Sequence, residues 1–248
     1  MAARQAADSE AGALAEPVQR SRRTTPLTRD EIITTAMAVA ERGALDTLTM
    51  RGLANDLGVT AMALYAHVTN KDDILDEVMD RVLARDAMPV LEPDGDWKAW
   101  TLDAANRLRA VLMRYPALLD RYCRRPVGVP AALRRMETAL EVLRRAGFDD
   151  EACIAAYTTI HTYTLGFTAL EIARETSRRH VARGASIHMS EASPHYWPAF
   201  FAGLPESEYP NLTRLRPDLA ELTSDSHFRE GLLTVLEGLD HRPRARAV

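Results

Sequence analysis

Between Thr49 and Asn70 the chain has room for two helices and for neither to be long. Thr49 is placed to cap "MRGLANDL", Gly58 ends that run, a further helix fits from about Thr60 to Val68, and Asn70 caps "KDDILDEVMDRVLAR". One helix precedes them, with Thr28 as N-cap, Glu31 three residues on in capping-box spacing, and Gly43 as the stop. Ile32, Ala36, Val39 and Ala40 give that helix one apolar face. Leu48, Leu53, Ala54 and Leu57 are the expected buried residues around the second helix, and Leu64 and Val68 anchor the third. From Pro26 onward helix follows helix, with no valine-rich alternating run and no Asn-Gly hairpin turn, so the expected fold class is all-α.

A supporting helix followed by two short ones, joined through a glycine, is the helix-turn-helix layout, in which the second short helix lies in a DNA major groove. With Leu64 and Val68 turned to the core, Thr60, Ala61, Ala63 and His67 face outward. Tyr65 joins an aromatic body to a hydroxyl that can donate to a phosphate. Lys71, in the first turn of the next helix, can hold another together with the free backbone N–H groups there. Arg20, Arg22, Arg23 and Arg51 add positive charge to the same side. The pattern alone also admits a plainer reading, with Tyr65 as a half-buried packing residue and His67 as a solvated one. Asp72, Asp73, Asp76 and Glu77 must in any case point away from DNA.

Charge composition makes such a face a local matter. The 248 residues carry 31 Lys and Arg against 35 Asp and Glu, a formal charge of -4, so affinity for nucleic acid cannot come from the chain as a whole. Cys123 and Cys153 fit neither a disulfide framework nor paired zinc spacing, which suits a reducing compartment. No window approaches the roughly 18 uninterrupted apolar residues of a spanning helix. The opening "MAARQAADSEAGALAEPVQR" lacks the apolar region of a signal peptide. A cytoplasmic protein is expected, with residues 1–25 as a disordered basic arm. His180, His188 and His195 are not at metal-ligand spacing, and neither a metal site nor a cofactor is expected.

The run "LTMRGLANDLGVTAMALYAHVTNKDDILDEVM", residues 48–79, resembles the tetracycline repressor (TetR) family of bacterial transcriptional regulators. Leu48, Thr49, Arg51, Leu53, Ala54, Leu57, Gly58, Val59, Leu64, Tyr65, His67, Val68, Asn70 and Lys71 stand in register with the family pattern. The resemblance implies that Thr49, Arg51, Tyr65, His67 and Lys71 touch the DNA backbone or position the reading helix, and that Thr60, Ala61, Met62 and Ala63 face base edges. The family's namesake has Glu-Gln-Pro-Thr where this chain has Thr-Ala-Met-Ala. Apolar contact with thymine methyl groups then replaces hydrogen-bonded readout, and a different operator follows.

The remainder, from about Asp86, is similar to the ligand-binding and dimerisation domain of that branch, which implies an N-terminal helix-turn-helix domain over 26–85, a helical C-terminal domain over 86–240, and a flexible tail over 241–248. On the helix beginning near Asp150, small residues recur in steps of four and three: Ala155, Thr159, Thr162, Gly166, Ala169 and Ala173. In the last helix Phe228, Leu232, Val235 and Leu239 repeat likewise. The spacing suits a four-helix dimer interface and equally an intrachain pair; the resemblance implies the homodimer. A ligand pocket is expected inside the bundle, lined by Trp97, Trp100, Met113, Met136, Tyr157, His161 and Phe167, although hydrogen-bonded core residues would look the same. The segment 176–224 reads as mobile loop with a short amphipathic helix. The function expected is a ligand-responsive homodimeric repressor that binds a palindromic operator and releases it when a small molecule occupies the helical pocket. An all-α enzyme and a ligand-independent DNA-binding protein are the alternatives; no catalytic motif supports the first.

Overall fold

In the computed structural model the fold is all-α. The structure describes residues 26–86, 88–90, 92, 95–124, 128–182, 203–215 and 223–241, with the backbone alone for 177–182. The expected arm over 1–25, with Arg20, Arg22 and Arg23, lies outside the described residues, as do most of the 176–224 segment and all but His241 of the tail. The helices are α1 (Arg29–Glu41), α2 (Met50–Asp56), α3 (Ala61–Tyr65), α4 (Lys71–Arg85), α5 (Trp97–Arg114), α6 (Ala117–Arg124), α7 (Pro130–Arg145), α8 (Asp150–Ala182), α9 (Pro210–Arg214) and α10 (Asp225–Asp240), with a 3-10 turn at Leu45–Thr47.

Local chemistry sets the first four. Thr28 and Glu31 close a reciprocal capping box on α1. Thr49, Thr60 and Asn70 cap α2, α3 and α4 through their side-chain oxygens. Between α2 and α3, Gly58 takes φ +67°, the left-handed region that a side chain makes costly. Two expectations need correction here. The third helix ends at Tyr65 and not near Val68, because the chain turns into the α4 cap; Val68 is still buried, and its N–H reaches the Leu64 carbonyl at 3.0 Å. Leu57 is half-buried, not buried, since it caps the C-terminus of α2 at the rim of the core.

Ile32, Ile33, Ala36, Leu53, Leu64, Ile74 and Val78 fill the centre of the N-terminal unit. That apolar core continues without a break into Leu108 and Leu112 of α5, Leu118 and Tyr122 of α6, and Ala131 and Ala132 of α7. A second core joins α5, α7, α8 and α10 through Trp97, Trp100, Phe148, Ala156, Phe228, Leu232, Leu236 and Leu239. Arg109 of α5 ties three of these helices. Its guanidinium bonds Glu171 of α8 at 2.5 Å and Asp225 of α10 at 2.5 Å, and stands 4.9 Å from the centre of the Phe228 ring.

Phe228, Leu232 and Leu239 are therefore core residues of a single chain, 0 to 3% exposed, and not surface for a partner. Full burial of such side chains stabilises by about 1.5–3 kcal/mol each, so the apolar spacing of α10 is explained within the chain. Of that expected set only Val235 remains, and it is half-buried. The small-residue stripe of α8 is different. Thr159, Thr162, Gly166 and Ala173 are exposed, Ala155 and Ala169 half-exposed, and the same helix carries Ile154 and Leu170 at 66% and 61% exposure.

Candidate functional site

Ion pairs between α1 and α4 hold the helix-turn-helix, with Arg29 and Asp73 at the turn between α3 and α4. Arg29 of α1 grips Asp73 of α4 with two bonds, 2.6 and 3.1 Å, and also donates to the His67 carbonyl at 2.9 Å. Asp73 takes the Thr69 N–H as well, at 2.9 Å. The Arg29 hydrogen bond, then the Thr69 backbone N–H, hold the Asp73 carboxyl down at about 2. Together they fix the turn from α3 into α4 and hence the seating of α3.

Against that frame α3 presents a small exposed face. Leu64 is wholly buried, while Met62 is 78% and Tyr65 50% exposed. Thr49, Arg51 and Thr60 are exposed; Ala61, Ala63, His67 and Lys71 are partly so. The Thr60 hydroxyl oxygen accepts from the Ala63 N–H at 3.3 Å, and that of Thr49 from the Gly52 N–H at 3.0 Å, so both spend acceptor capacity on caps. Within Ala61–Tyr65 no amide, guanidinium or carboxylate is present to form paired hydrogen bonds to a base. The acidic residues of α4 are paired inside the chain. Asp73 and Glu77 face Arg29, and Arg121 of α6 takes Asp76 at 2.5 Å and Asp72 at 3.0 Å. Asp80 continues the series by accepting the Ala131 N–H of α7 at 2.6 Å.

The second feature is a cavity of about 70 Å³ among α5, α6, α7 and α8. Trp100, Met136, Tyr157 and His161 line it, as the sequence suggests, together with Met88, Thr101, Ala104, Ala105, Leu108, Tyr122, Arg135, Ala139, Leu143, Ile160 and Thr164. Three expected residues are elsewhere. Met113 stands ~140° around α5 from the lining residue Leu108. Phe167 packs edge-on against Phe228, ring centres 5.2 Å apart. Trp97 packs on Phe148 at 5.1 Å.

Polar groups in the cavity are few, with Tyr122 and Arg135 buried and Tyr157 and His161 half-buried. The His161 ring stacks on Tyr157 at 5.2 Å and leans on Tyr122 at 5.6 Å, and its Nε2 has no hydrogen-bond partner among the described residues. Burial lowers its pKa and so favours the neutral imidazole. Burial raises both phenols, against the opposing charge of Arg135. Arg135 itself is 7% exposed; its Nη1 donates to the Asp86 carbonyl at 2.9 Å and to the Asp86 carboxylate at 3.1 Å. Arg135 and Tyr122 are not among the residues the sequence marks for the cavity. A signal existed for the first: Arg135 lies four residues from Ala131 and four from Ala139, on the apolar face of α7, whereas neighbouring Arg134 is exposed.

Among the described residues, no three His, Cys, Asp or Glu side chains are placed to hold a metal ion, and no helix is long and apolar enough to cross a membrane.

An exposed short helix on a capped helix-turn-helix, with a cavity-bearing helical unit behind it, defines a DNA-binding regulator. Comparison with known proteins is more specific. Residues 32–78 match the model of bacterial regulatory proteins of the tetR family, and residues 88–242 that of the tetracyclin repressor-like C-terminal domain. The chain belongs to the TetR family of transcriptional regulators. It is 30% identical over 215 residues to the HTH-type transcriptional repressor DrrR1 of Streptomyces coeruleorubidus, covering 86% of this chain and 77% of that protein. It is 28% identical over 222 residues to the tetracycline repressor class A from transposon 1721 of Escherichia coli, covering 88% and 93%. Among solved structures, ActR of Streptomyces coelicolor in complex with actinorhodin superposes with a TM-score of 0.71 at 29% identity, covering 87% and 96%.

Proposed function

We infer that the protein is a cytoplasmic, homodimeric repressor, without catalytic activity, that binds a palindromic operator and releases it when a small molecule enters the cavity. Residues 26–85 serve as the DNA-reading unit, 86–240 as the effector and dimer unit, 1–25 as a basic arm carrying Arg22 and Arg23, and 241–248 as a tail. Thr49, Arg51, Tyr65, His67 and Lys71 hold phosphates; Thr60, Ala61, Met62 and Ala63 meet base edges. Two chains pair through the exposed α8 stripe, where Ile154 and Leu170 supply apolar area that a second copy would bury.

One observation carries the ligand-responsive part: the connection leaving α4 is a wall of the cavity. Met88 lines it, and Trp100 Nε1 donates to the Pro89 carbonyl at 2.7 Å. A preformed ligand pocket holds ~300–1,000 Å³. At about 70 Å³ this cavity must widen for any sizeable occupant, and the wall that moves leads back through α4 to α3. ActR, of similar fold, is described with actinorhodin bound, which supports a small-molecule effector here.

The test is selection of bound fragments from random double-stranded DNA by the purified protein at two salt concentrations. Enrichment of a palindrome with half-sites about one helical turn apart, weakening as salt rises, is the expected result. No enrichment at low salt would remove the reading.

A further inference from the structure

Among the described residues, the cavity lining holds one cation and no carboxylate. Arg135 stands there with Tyr122, Tyr157 and His161. All four side chains can carry N–H or O–H donors. The counter-charge of Arg135 lies behind the wall, on Asp86, which also gives its carbonyl to the same Nη1. Asp86 closes the C-terminus of α4. The group best placed to meet an acidic oxygen in the cavity is thus the group that holds the C-terminal end of α4, the last helix of the DNA-reading unit.

We propose that the effector is a flat aromatic carboxylate that takes Arg135 from Asp86 and thereby frees the C-terminal end of α4. This rests on the cavity's being the effector site. The guanidinium keeps its charge when buried, and its planar fork matches a carboxylate with two parallel N–H···O bonds. The near-parallel Tyr157 and His161 rings, 16° apart, offer a face to a flat body, and Trp100, Leu108 and Ile160 offer apolar walls. Asp86 and the ligand compete for one donor group, so the hold on α4 and the hold on the ligand are reciprocally linked.

Calorimetric titration of the full chain with benzoate and 2-naphthoate, each against its own amide, tests the recognition. The acid should bind about tenfold better than the amide, the scale of one charge-assisted hydrogen bond, and Arg135→Gln should erase that preference. Asp86→Asn tests the linkage. It should bind 2-naphthoate more tightly, and the operator duplex enriched by the wild type less tightly. A variant that had only lost structure would lose both. Equal binding of acid and amide, no binding of either, or an acid preference that survives Arg135→Gln overturns the ligand assignment. An Asp86→Asn chain whose two affinities fall together or stay unchanged overturns the exchange at Arg135. If DNA selection itself fails, the regulator reading falls while the calorimetric arms still report on Arg135.

Discussion

Gly231→Ala tests how closely α8 and α10 are packed. A Cβ at Gly231 would fall on the Tyr163 hydroxyl and within 2.9 Å of the ring Cζ, so the tyrosine must move. Tyr163 Oη donates to the Phe228 carbonyl at 3.1 Å and lies 3.3 Å from that of His227, and its ring centre is 5.7 Å from that of Phe228. Displacing it gives up hydrogen bonding of about 0.5–1.5 kcal/mol. Overpacking adds about 1–3 kcal/mol. Replacing glycine by alanine inside a helix returns about 1 kcal/mol. The net is a destabilisation of roughly 0.5–3.5 kcal/mol, and each kcal/mol lowers Tm by about 2–4 °C in a chain of this size. Thermal unfolding followed by circular dichroism reads it. In a Tyr163→Ala background the same Cβ no longer meets the tyrosine hydroxyl and ring that are its nearest neighbours, and Gly231→Ala should then lower Tm far less than it does in the wild type. A Gly231→Ala protein that melts at or above the parent's temperature in the wild-type background refutes the packing argument.

Three further outcomes follow from the two sites. The folded-state pKa of Asp73 is lowered to about 2, below its unfolded value of about 4, so its contribution is complete above about pH 4 and is lost as pH falls towards 2. Asp73→Asn should therefore lower stability at neutral pH and flatten the acid limb of a pH–Tm curve; an unchanged limb would deny the Arg29 pairing. His161→Leu removes a buried nitrogen without a partner, worth about 1–3 kcal/mol, so Tm should hold or rise while acid binding in the cavity weakens; a clear fall in Tm would mean the imidazole is satisfied. Replacing thymine by deoxyuridine within the operator half-sites should weaken binding of the wild type and much less that of Met62→Ala, as measured by gel shift, because α3 offers methyl-sized apolar contacts in place of paired hydrogen bonds. Equal losses for both proteins would take Met62 out of the reading surface.

Much of the N-terminal unit is legible in the sequence because its signals are local. Thr28 with Glu31, Thr49 and Asn70 are caps whose partners lie within three residues, and the structure forms each of them. What the sequence hides depends on distant partners. Asp73 reads as a liability for DNA binding until Arg29, 44 residues away, is seen to neutralise it. The spacing of Phe228, Leu232 and Leu239 states that one face of α10 is covered but not by what, and the cover proves to be the chain's own α5 and α8. Arg134 and Arg135 are alike in sequence; only the register of α7, with alanines four residues on either side, turns one to solvent and the other into the cavity. Tyr122 sits on an eight-residue helix, too short for a periodic pattern to declare its inner face.

In the proposed repressor, two copies of α3 read DNA together from one dimer. Fluorescence anisotropy of the enriched duplex, titrated with the purified protein beside a duplex carrying one half-site alone, tests it most directly. Saturation at two chains per full site, a steep loss of affinity with salt, and far weaker binding to the half-site are expected. Saturation at one chain per duplex, with the half-site bound as tightly as the full site, would contradict it.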